Sequence, residues 1–494
     1  MKLSQLLKES RRADPANDPD ITHITHDARQ VRPGSLFVAI PGYSYDGRQF
    51  ISLAEEKGAA AILTQGPAKS RLPCRLVKDA RTAMAEASAG LYRHPAKDLS
   101  IIGITGTKGK TSVCHLLYDT AVKAGKKPGR IGTNGVRYGD ISYAIANTTP
   151  ESSDLHRILR DMKEAGVDTV FMEVSSGGLK LARVAGIEFT VGIFTNLAED
   201  HLGPSEHADM KEYAYWKSRL MKQSRTALIC ADDPRADAMR GLAHRDALYG
   251  SRGDFTARNL RPGDRLAEPT RFNFSGKETY PVALALPGRF NVENALAVLG
   301  CAELLGYPKE AALQVLKEAR VPGRTELLPS PAGTQVVLDY AHNGLSLSSV
   351  LDTLSLYRTG RLLVLMGTVG GRTKTRRREL GDAAARRADV VMLTSDNPDH
   401  EDPNAIIADM SASFHGTEIT VYREPDRKKA IEFLLDRLVP GDILLLAGKG
   451  HEEFQLVCGR EIPHSDRAVV EKYLAAQEVL KDFGNDGTGY TKRE

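Results

Sequence analysis

The densest chemistry in the sequence lies at Gly106-Thr107-Lys108-Gly109-Lys110-Thr111-Ser112. Glycines that let backbone N–H groups point inward, followed by a lysine and two hydroxyl residues at a helix start, are the parts of a phosphate cradle. In that reading Lys110 reaches the β- and γ-phosphates of a nucleotide, and the Thr111 hydroxyl ligates Mg²⁺. The common pattern G-x-x-x-x-G-K-[ST] needs glycine at position 104, where this chain has Ile104; Gly103 and Gly106 flank it, so the motif is a variant. Two other residues fit metal-nucleotide chemistry. Glu173 ends an apolar run further along the chain, and His201 closes Thr195-Asn196-Leu197-Ala198-Glu199-Asp200-His201. Singly, they read as a strand-end acid and a loop histidine; beside a phosphate loop, a carboxylate facing Mg²⁺ has a reason to be there.

Such a loop works only between a strand and a helix, and the sequence supplies both. The apolar run Leu99–Ile104 leads into it, and strand-like runs follow at Thr169–Val174, Val191–Thr195 and Ala227–Ala231. Helical patterns at Asp154–Ala165, Asp209–Gln223 and Asn291–Leu305 lie among them, the alternation of a parallel α/β sheet. An earlier block has a strand at Leu36–Ile40, entered through Pro33-Gly34 and left through Pro41-Gly42, then a helix near Phe50–Gly58 and a strand at Ala59–Leu63. With no nucleophile or metal cluster, it reads as a binding module. A last block repeats the alternation with buried strands at Gln335–Asp339, Arg361–Met366, Val390–Thr394 and Asp442–Ala447. Each ends in polar or glycine-rich residues, and ligands of open α/β sheets bind at the carboxyl ends of strands. The expectation is an α/β protein of three domains, 1–96, 97–328 and 329–494. The second is a mononucleotide-binding parallel sheet and the third is Rossmann-like.

Bulk properties agree. At about 100–200 residues per domain, 494 residues make about three domains. The 67 Lys+Arg against 63 Asp+Glu give a formal charge of +4, too balanced for a dedicated nucleic-acid binder. The five cysteines are scattered and form no C-x-x-C pair, which argues against a disulfide framework or zinc finger. There is no signal-like apolar core at the N-terminus and no apolar run long enough to span a bilayer, so the expected compartment is the cytoplasm.

Taken in order, these segments resemble the Mur ligases, ATP-dependent amide-forming enzymes of bacterial peptidoglycan precursor synthesis. The nearest pattern is that of the members that add an amino acid to UDP-N-acetylmuramoyl-L-alanyl-D-glutamate. The resemblance runs through nearly the whole chain. It begins at Asp27–Ala39, which looks like a uridine-side entry segment, and continues with the phosphate loop, Asn147-Thr148-Thr149-Pro150 and Met172-Glu173-Val174-Ser175-Ser176. After FTNLAEDHL come Pro322-Gly323-Arg324-Thr325-Glu326, Asp339-Tyr340-Ala341-His342, Ser395-Asp396-Asn397-Pro398 and Gly448-Lys449-Gly450-His451-Glu452. The resemblance implies ATP and Mg²⁺ as cofactors and a role for each matching residue. Gly106, Thr107, Lys108, Gly109, Lys110, Thr111 and Ser112 would hold ATP together with Asn291, Asn294, Arg324 and Asp339. Lys110, Glu173, His201 and Lys217 would be catalytic, with Thr111, Glu173, His201 and Lys217 at the metals. Lys217 matches a lysine that the family carbamylates, which turns a repelling ammonium into an anionic metal ligand; without the resemblance it reads as a surface lysine on a helix. Tyr43, Ser44, Tyr45, Asn147, Thr148, Thr149, Ser175 and Arg183 would contact the UDP-muramoyl-dipeptide. Arg372, Asp396, Asn397, Pro398, Asp399, Gly448 and Glu452 would receive the amino acid. The implied partners are these small molecules, with no nucleic acid and no membrane insertion, and the chain is expected to be a monomer. The three domains would serve uridine-side binding, ATP activation and amino-acid delivery.

The departures from the pattern are specific. A uridine-side serine is Ala28; the serine pair, usually followed by His-Ala, is followed by Gly177-Gly178; a substrate-side glutamine is Leu181. About two extra residues separate Asp200-His201-Leu202-Gly203 from Lys217. Where ligases for meso-diaminopimelate usually carry arginine after Asp-Asn-Pro, this chain has Asp399. An acid there repels a distal carboxylate and attracts a distal ammonium, which favours an L-lysine-like diamino acid over meso-diaminopimelate. The basic residues Arg372, Lys374, Arg376, Arg377 and Arg378 are expected to group at one strand end opposite Asp399. The changes on the acid-substrate side leave a second reading open, a paralogue joining a different carboxylic acid and amine in specialised peptide biosynthesis. A nucleotide-binding protein without ligase activity is the third.

Overall fold

The structure is a computed structural model and describes residues 1–7, 17–42, 45–199, 203, 206–371 and 374–485, with side chains as far as 478. Its sheets form N-terminal, central and C-terminal domains.

In the N-terminal domain a short helix, α1 (Leu3–Leu6), precedes the parallel strands β1 (His23–Thr25), β2 (Ser35–Ala39), β3 (Ala59–Thr64) and β4 (Cys74–Leu76), which lie side by side in that order. The helix α2 (Ile51–Glu56) links β2 to β3, and α3 (Ala80–Leu91) follows β4. All five residues of β2 are buried. Its period-2 alternation sends Leu36 and Val38 to Met84 on one face and Phe37 and Ala39 to Ile51 and Ala54 on the other. The expected helix Phe50–Gly58 is a shorter α2, entered through a 3-10 turn at Gly47–Phe50.

The central domain has eight strands. They are β5 (Ser100–Thr105), β6 (Pro128–Gly132), β7 (Gly135–Tyr138), β8 (Ile141–Tyr143), β9 (Thr169–Glu173), β10 (Phe189–Phe194), β11 (Ser224–Cys230) and β12 (Arg245–Tyr249). Their order across the sheet is β12-β11-β10-β5-β9-β6-β7-β8, parallel except for the last two. The helices α4 (Lys110–Lys123), α5 (Ser152–Glu164), α6 (Ser176–Lys180) and α7 (Met210–Lys222) connect them. The winding reverses at β5, which lies between β9 and β10, so Ile104 pairs with Glu173 on one side and Thr105 with Phe194 on the other. That reversal opens a crevice at the carboxyl end of β5. Further on, β13 (Thr256–Arg261), β14 (Thr270–Ser275) and β15 (Thr279–Leu284) form a three-stranded sheet, followed by α8 (Arg289–Leu304) and α9 (Lys309–Lys317).

The C-terminal sheet contains β16 (Glu326–Leu328), β17 (Gln335–Asp339), β18 (Leu362–Met366), β19 (Val390–Leu393), β20 (Thr420–Arg423) and β21 (Ile443–Ala447), in the order β16-β17-β21-β18-β19-β20. Only β16 is antiparallel. The last strand in sequence, β21, inserts between β17 and β18, which sets the polar ends of β17, β21, β18 and β19 side by side. Around it lie α10 (Gly344–Ser355), α11 (Lys374–Ala385), α12 (Pro403–Ser411), α13 (Arg427–Leu435), a hairpin of β22 (Phe454–Val457) and β23 (Arg460–Pro463), and α14 (Asp466–Asn485).

The chain divides into two compact units. One holds residues 1–258, 274–280 and 293–315; the other holds 259–273, 281–292 and 316–494. All five cysteines are free, and no helix among the described residues is long and apolar enough to cross a membrane.

Candidate active site

In the first unit the loop between Thr105 and Lys110 is forced by close packing. Gly106 and Gly109 have φ of 145° and 87°, and a Cβ would stand 1.9 Å from Thr195 Oγ1 at the former and 2.4 Å from Asn294 Oδ1 at the latter. The segment after β10 straps the loop in place. Asn196 O accepts the Thr107 N–H and Asn196 Oδ1 the Lys108 N–H, both at 2.9 Å, while Thr195 Oγ1 donates to Lys108 O at 2.6 Å. Lys110 Nζ folds back over the loop and donates to Gly106 O and Thr107 O at 2.9 and 3.0 Å. Ser112 is buried in the first turn of α4.

Glu173 ends β9 beside this loop. Its buried carboxylate accepts the Thr111 hydroxyl at 2.9 Å, the Thr133 N–H at 2.9 Å and the Thr133 hydroxyl at 3.2 Å. Among the described residues no three His, Cys, Asp or Glu side chains gather around one point. One carboxylate and one hydroxyl nonetheless suit Mg²⁺, which binds few protein oxygens and takes its remaining ligands from water and phosphate. His201 lies outside the described residues. Lys217 is 1% exposed, so the surface position that the residue pattern alone suggested is wrong. It faces inward on α7, which packs on β5 and β10. Its Nζ donates to Gly106 O at 2.7 Å and stands 4.5 Å from the ring centroid of Tyr213.

A cleft of about 180 Å³ opens beside the loop. Three amines line it, from Lys110, Lys180 and Lys217, against one acid, Glu206; Ser175, Ser176, Tyr213 and Leu181 also contribute. The arrangement suits an anion next to a bound triphosphate. Ser175 caps α6 by accepting the Gly178 N–H at 3.0 Å, and its own N–H donates to Thr149 Oγ1, also at 3.0 Å. Thr149 Oγ1 donates to Glu173 O at 3.0 Å, and Thr148 Oγ1 is 3.1 Å from Thr133 Oγ1, so this segment is tied to the end of β9 that carries Glu173. Asn147 is exposed. Arg183 pairs with Glu151 at 2.8 Å and donates to Thr149 O at 3.0 Å, while Arg81 holds the other oxygen of Glu151 at 3.1 Å. Its guanidinium therefore positions the Thr149 segment. Tyr45 is 70% exposed; Tyr43 and Ser44 lie outside the described residues. Asn291 is buried and donates to Pro287 O at 2.8 Å.

In the second unit the carboxyl ends of the C-terminal strands form a dense polar cluster. Lys449 is fully buried, its Nζ 2.7 Å from Glu452 Oε2, 2.8 Å from Asn397 Oδ1 and 3.6 Å from Asp396 Oδ1. Asn397 Nδ2 donates to Glu452 Oε2 at 3.2 Å, and Tyr340 OH to Glu452 Oε1 at 3.1 Å. Burial pushes the Asp396 carboxyl up, opposed by Arg427 and Lys449. Arg427 and Asp466, both fully buried, are joined at 2.7 Å beneath the cluster, and Arg427 also donates to Ala447 O at 2.9 Å and Ser395 O at 3.4 Å. A Cβ on Gly448 would lie 3.0 Å from Asp396 Oδ2. Pro398 is buried in the turn that follows.

Arg324 lies over the Tyr340 ring at 4.7 Å. Asp339 accepts the Thr325 N–H at 2.6 Å; burial raises its pKa and Arg324 opposes the shift. Gly323 and Gly450 touch backbone to backbone: a Cβ on Gly323 would stand 2.3 Å from His451 N, and one on Gly450 2.7 Å from Tyr340 Cβ. Asp399, at φ 51°, accepts the Gly459 N–H at 2.7 Å. Arg372 lies outside the described residues. The expected basic group facing Asp399 does not form as drawn, because Arg377 is buried against Glu401 and Asp409 at 2.6 and 2.8 Å, and Lys374 pairs with Asp409 at 3.4 Å.

Three stretches match known protein families: residues 20–90 the Mur ligase family, catalytic domain; 104–302 the Mur ligase middle domain; 323–450 the Mur ligase, glutamate ligase domain. The chain belongs to the Mur ligase family. As a Mur ligase it is an ATP-dependent enzyme that forms amide bonds. A Bacillus velezensis UDP-N-acetylmuramoyl-L-alanyl-D-glutamate–2,6-diaminopimelate ligase is 38% identical over 495 residues, 95% of this chain and 99% of its own. The Aquifex aeolicus protein of the same name is 36% identical over 460 residues, 92% and 94% of the two chains. A solved structure of a ligase so named aligns with a TM-score of 0.68 at 29% identity, covering 97% of this chain and 99% of the other. The Thermotoga maritima MurF ligase in complex with ADP shares the fold, with a TM-score of 0.60 at 21% identity over 93% of this chain and 98% of its own.

Several residues that shape these sites carry little or no signal in the sequence. Lys449 sits inside a segment already singled out, and its flanking glycines were the available signal. Asn196 likewise lies inside FTNL. Tyr213, Thr133, Glu151 and the Arg427–Asp466 pair carry no local signal, because their partners come from distant elements.

Proposed function

We propose that this Mur ligase joins an amino acid to UDP-N-acetylmuramoyl-L-alanyl-D-glutamate through an acyl phosphate, with ATP as the phosphoryl donor, in peptidoglycan precursor synthesis. The chain acts as a cytoplasmic monomer, with residues 1–96 on the uridine side, 97–328 activating the acid and 329–494 delivering the amino acid. The observation that carries the reading is Lys110, which belongs both to the phosphate loop and to the wall of the amine-lined cleft. An acid held in that cleft has its carboxylate next to the terminal phosphate of a nucleotide in the loop.

The carboxylate oxygen attacks the γ-phosphorus, ADP leaves, and an acyl phosphate remains. The amine of the incoming amino acid then attacks the acyl carbon and phosphate leaves. Collecting a carboxylate, a triphosphate and a tetrahedral oxyanion in one place is chiefly an electrostatic problem. Thr111, Glu173, His201 and a carbamylated Lys217 would hold Mg²⁺, which would supply neutralisation of phosphate charge. Gly106–Ser112, Asn291, Asn294, Arg324 and Asp339 hold ATP. The polar ends of β17, β19 and β21 receive the amino acid, with Asn397 and Glu452 orienting its amine and Lys449 holding both.

Asp399 remains an acid at the amino-acid side, which supports an L-lysine-like diamino acid even though the relatives cited are named for 2,6-diaminopimelate. One observation favours the second reading, a ligase for another acid: Gly177 and Leu181 line the cleft where the acid would lie. Phosphate release from purified enzyme with ATP and Mg²⁺ tests both, using lysine, ornithine and diaminopimelate with the UDP-muramoyl-dipeptide. Turnover with lysine or ornithine is expected. Turnover confined to diaminopimelate overturns the amino-acid assignment, and none with any of the three overturns the acid substrate.

A further inference from the structure

We infer that His207 and Ser176 form a hydrogen-bonded pair that binds the carboxylate end of the acid substrate, making His207 a specificity residue of the cleft. This rests on reading the cleft as the acid's site.

His207 lies on the approach to α7, outside every segment that the sequence pattern marked, yet its side chain is buried and lines the cleft. Two of the ring's contacts bear on the cleft. Nε2 is 2.9 Å from Ser176 Oγ, and the ring centroid is 5.1 Å from that of Tyr213. Tyr213 is itself bound to the reaction centre, its hydroxyl 3.3 Å from Thr107 Oγ1 and its ring under the Lys217 ammonium. The imidazole is thereby referenced to the phosphate loop through one rigid aromatic ring, and Ser176 faces the same cleft.

The cleft has open space beside Ser176. Gly177 also lines it, and a Cβ built there meets nothing within 4 Å. His207 Nδ1 is 4.0 Å from Glu212 Oε1, and Lys180 is 2.8 Å from the same oxygen. Lys180 thus offsets the charge of the acid behind the ring. A serine hydroxyl oriented by an imidazole, with the Lys110 amine lining the same cleft, is a directional site for a carboxylate.

Initial rates on the whole enzyme test the pair, with KM measured separately for the acid, ATP and the amino acid. H207A and S176A should each raise KM for the acid about tenfold or more, the loss of a hydrogen bond to a charged group, with KM for ATP within about twofold. H207Q should recover part of the loss. The double variant G177H/H207A, which offers an imidazole from position 177 instead, should also recover part of it. Acid KM unchanged in H207A and S176A, or ATP KM rising in step with it, overturns the inference. If H207A does not fold, S176A decides. Wild-type enzyme that turns over no UDP-muramoyl acid refutes the functional reading and this inference with it, whereas normal wild-type turnover with unaffected variants refutes this inference alone.

Discussion

Asp466→Asn probes the buried ion pair under the polar cluster at the carboxyl ends of the C-terminal strands. Asp466 and Arg427 are both fully buried and share hydrogen bonds of 2.8 and 2.7 Å, with His464 Nε2 a further 2.8 Å from the same carboxylate. Asparagine keeps the shape and one acceptor but leaves the guanidinium without its counter-charge. Removing one partner of a buried pair costs about 3–5 kcal/mol. Because Arg427 retains Ala447 O and Ser395 O as acceptors, the lower end, about 3 kcal/mol, is expected. For a domain of 150–250 residues that lowers the midpoint of its transition by about 6–12 °C. The single tryptophan, Trp216, reports on the other unit, so the assay is hydrogen exchange read by mass spectrometry on peptides covering β19 and β21, with Trp216 fluorescence as the control. Burial alone would raise the Asp466 pKa, but Arg427 outweighs it and holds the carboxyl well below its ordinary value. The stabilisation is therefore complete above the unfolded value of about 3.9 and is lost as pH falls below it, so wild type and D466N converge in acid. The double variant R427M/D466L should recover most of the loss, since apolar replacement of both charges is often neutral. Unchanged exchange in D466N, or a double variant no better than the single one, would show that the Arg427–Asp466 pair does not hold this end of the sheet together.

Lys217→Ala should lower turnover by about 100-fold, as for loss of one electrostatic contributor to a transition state; more than a tenth of wild-type activity would remove the carbamate assignment. Asp399→Arg should raise the ratio of kcat/KM for diaminopimelate over lysine at least about tenfold, because like charges across a contact cost several kcal/mol; an unchanged ratio would show that Asp399 does not face the amino acid. Glu173→Gln should weaken Mg²⁺-dependent phosphate release while leaving the thermal midpoint within a few degrees, read by titrating Mg²⁺ at fixed ATP. His156 is buried with neither ring nitrogen hydrogen-bonded, and burial lowers its pKa to about 4. The unfolded chain takes up that proton first, so wild type loses stability as pH falls from about 6.5 towards 4. His156→Leu should flatten that part of a Tm-against-pH curve; parallel curves would contradict it.

What the sequence made legible was local. The phosphate loop could be read because its strand, glycines and helix start lie within a dozen residues, and β17 was read to the residue because a fully buried parallel strand is a bare apolar run. β6, β7 and β8 escaped because proline and glycine interrupt them and their pairing, not their composition, makes them strands. Lys217 looked exposed because a helix face is buried only by what packs on it, here Tyr213 and the backbone of Gly106 from 111 residues away. Arg377 read as part of a basic patch because its acid partners, Glu401 and Asp409, lie 24 and 32 residues away in sequence. His207 gave no signal at all, since its neighbour Ser176 is 31 residues away in sequence.

The contact between Gly323 and Gly450 also has a genetic consequence. Each glycine fills space that the other's strand end would need, with φ of 68° and 50° respectively, so neither can accept a side chain while its neighbour stays in place. A saturation library should return glycine alone at both positions, and a second-site revertant of a change at one should not arise by enlarging the other. An inhibitor seated against this turn would therefore meet a surface that selection has little freedom to redraw.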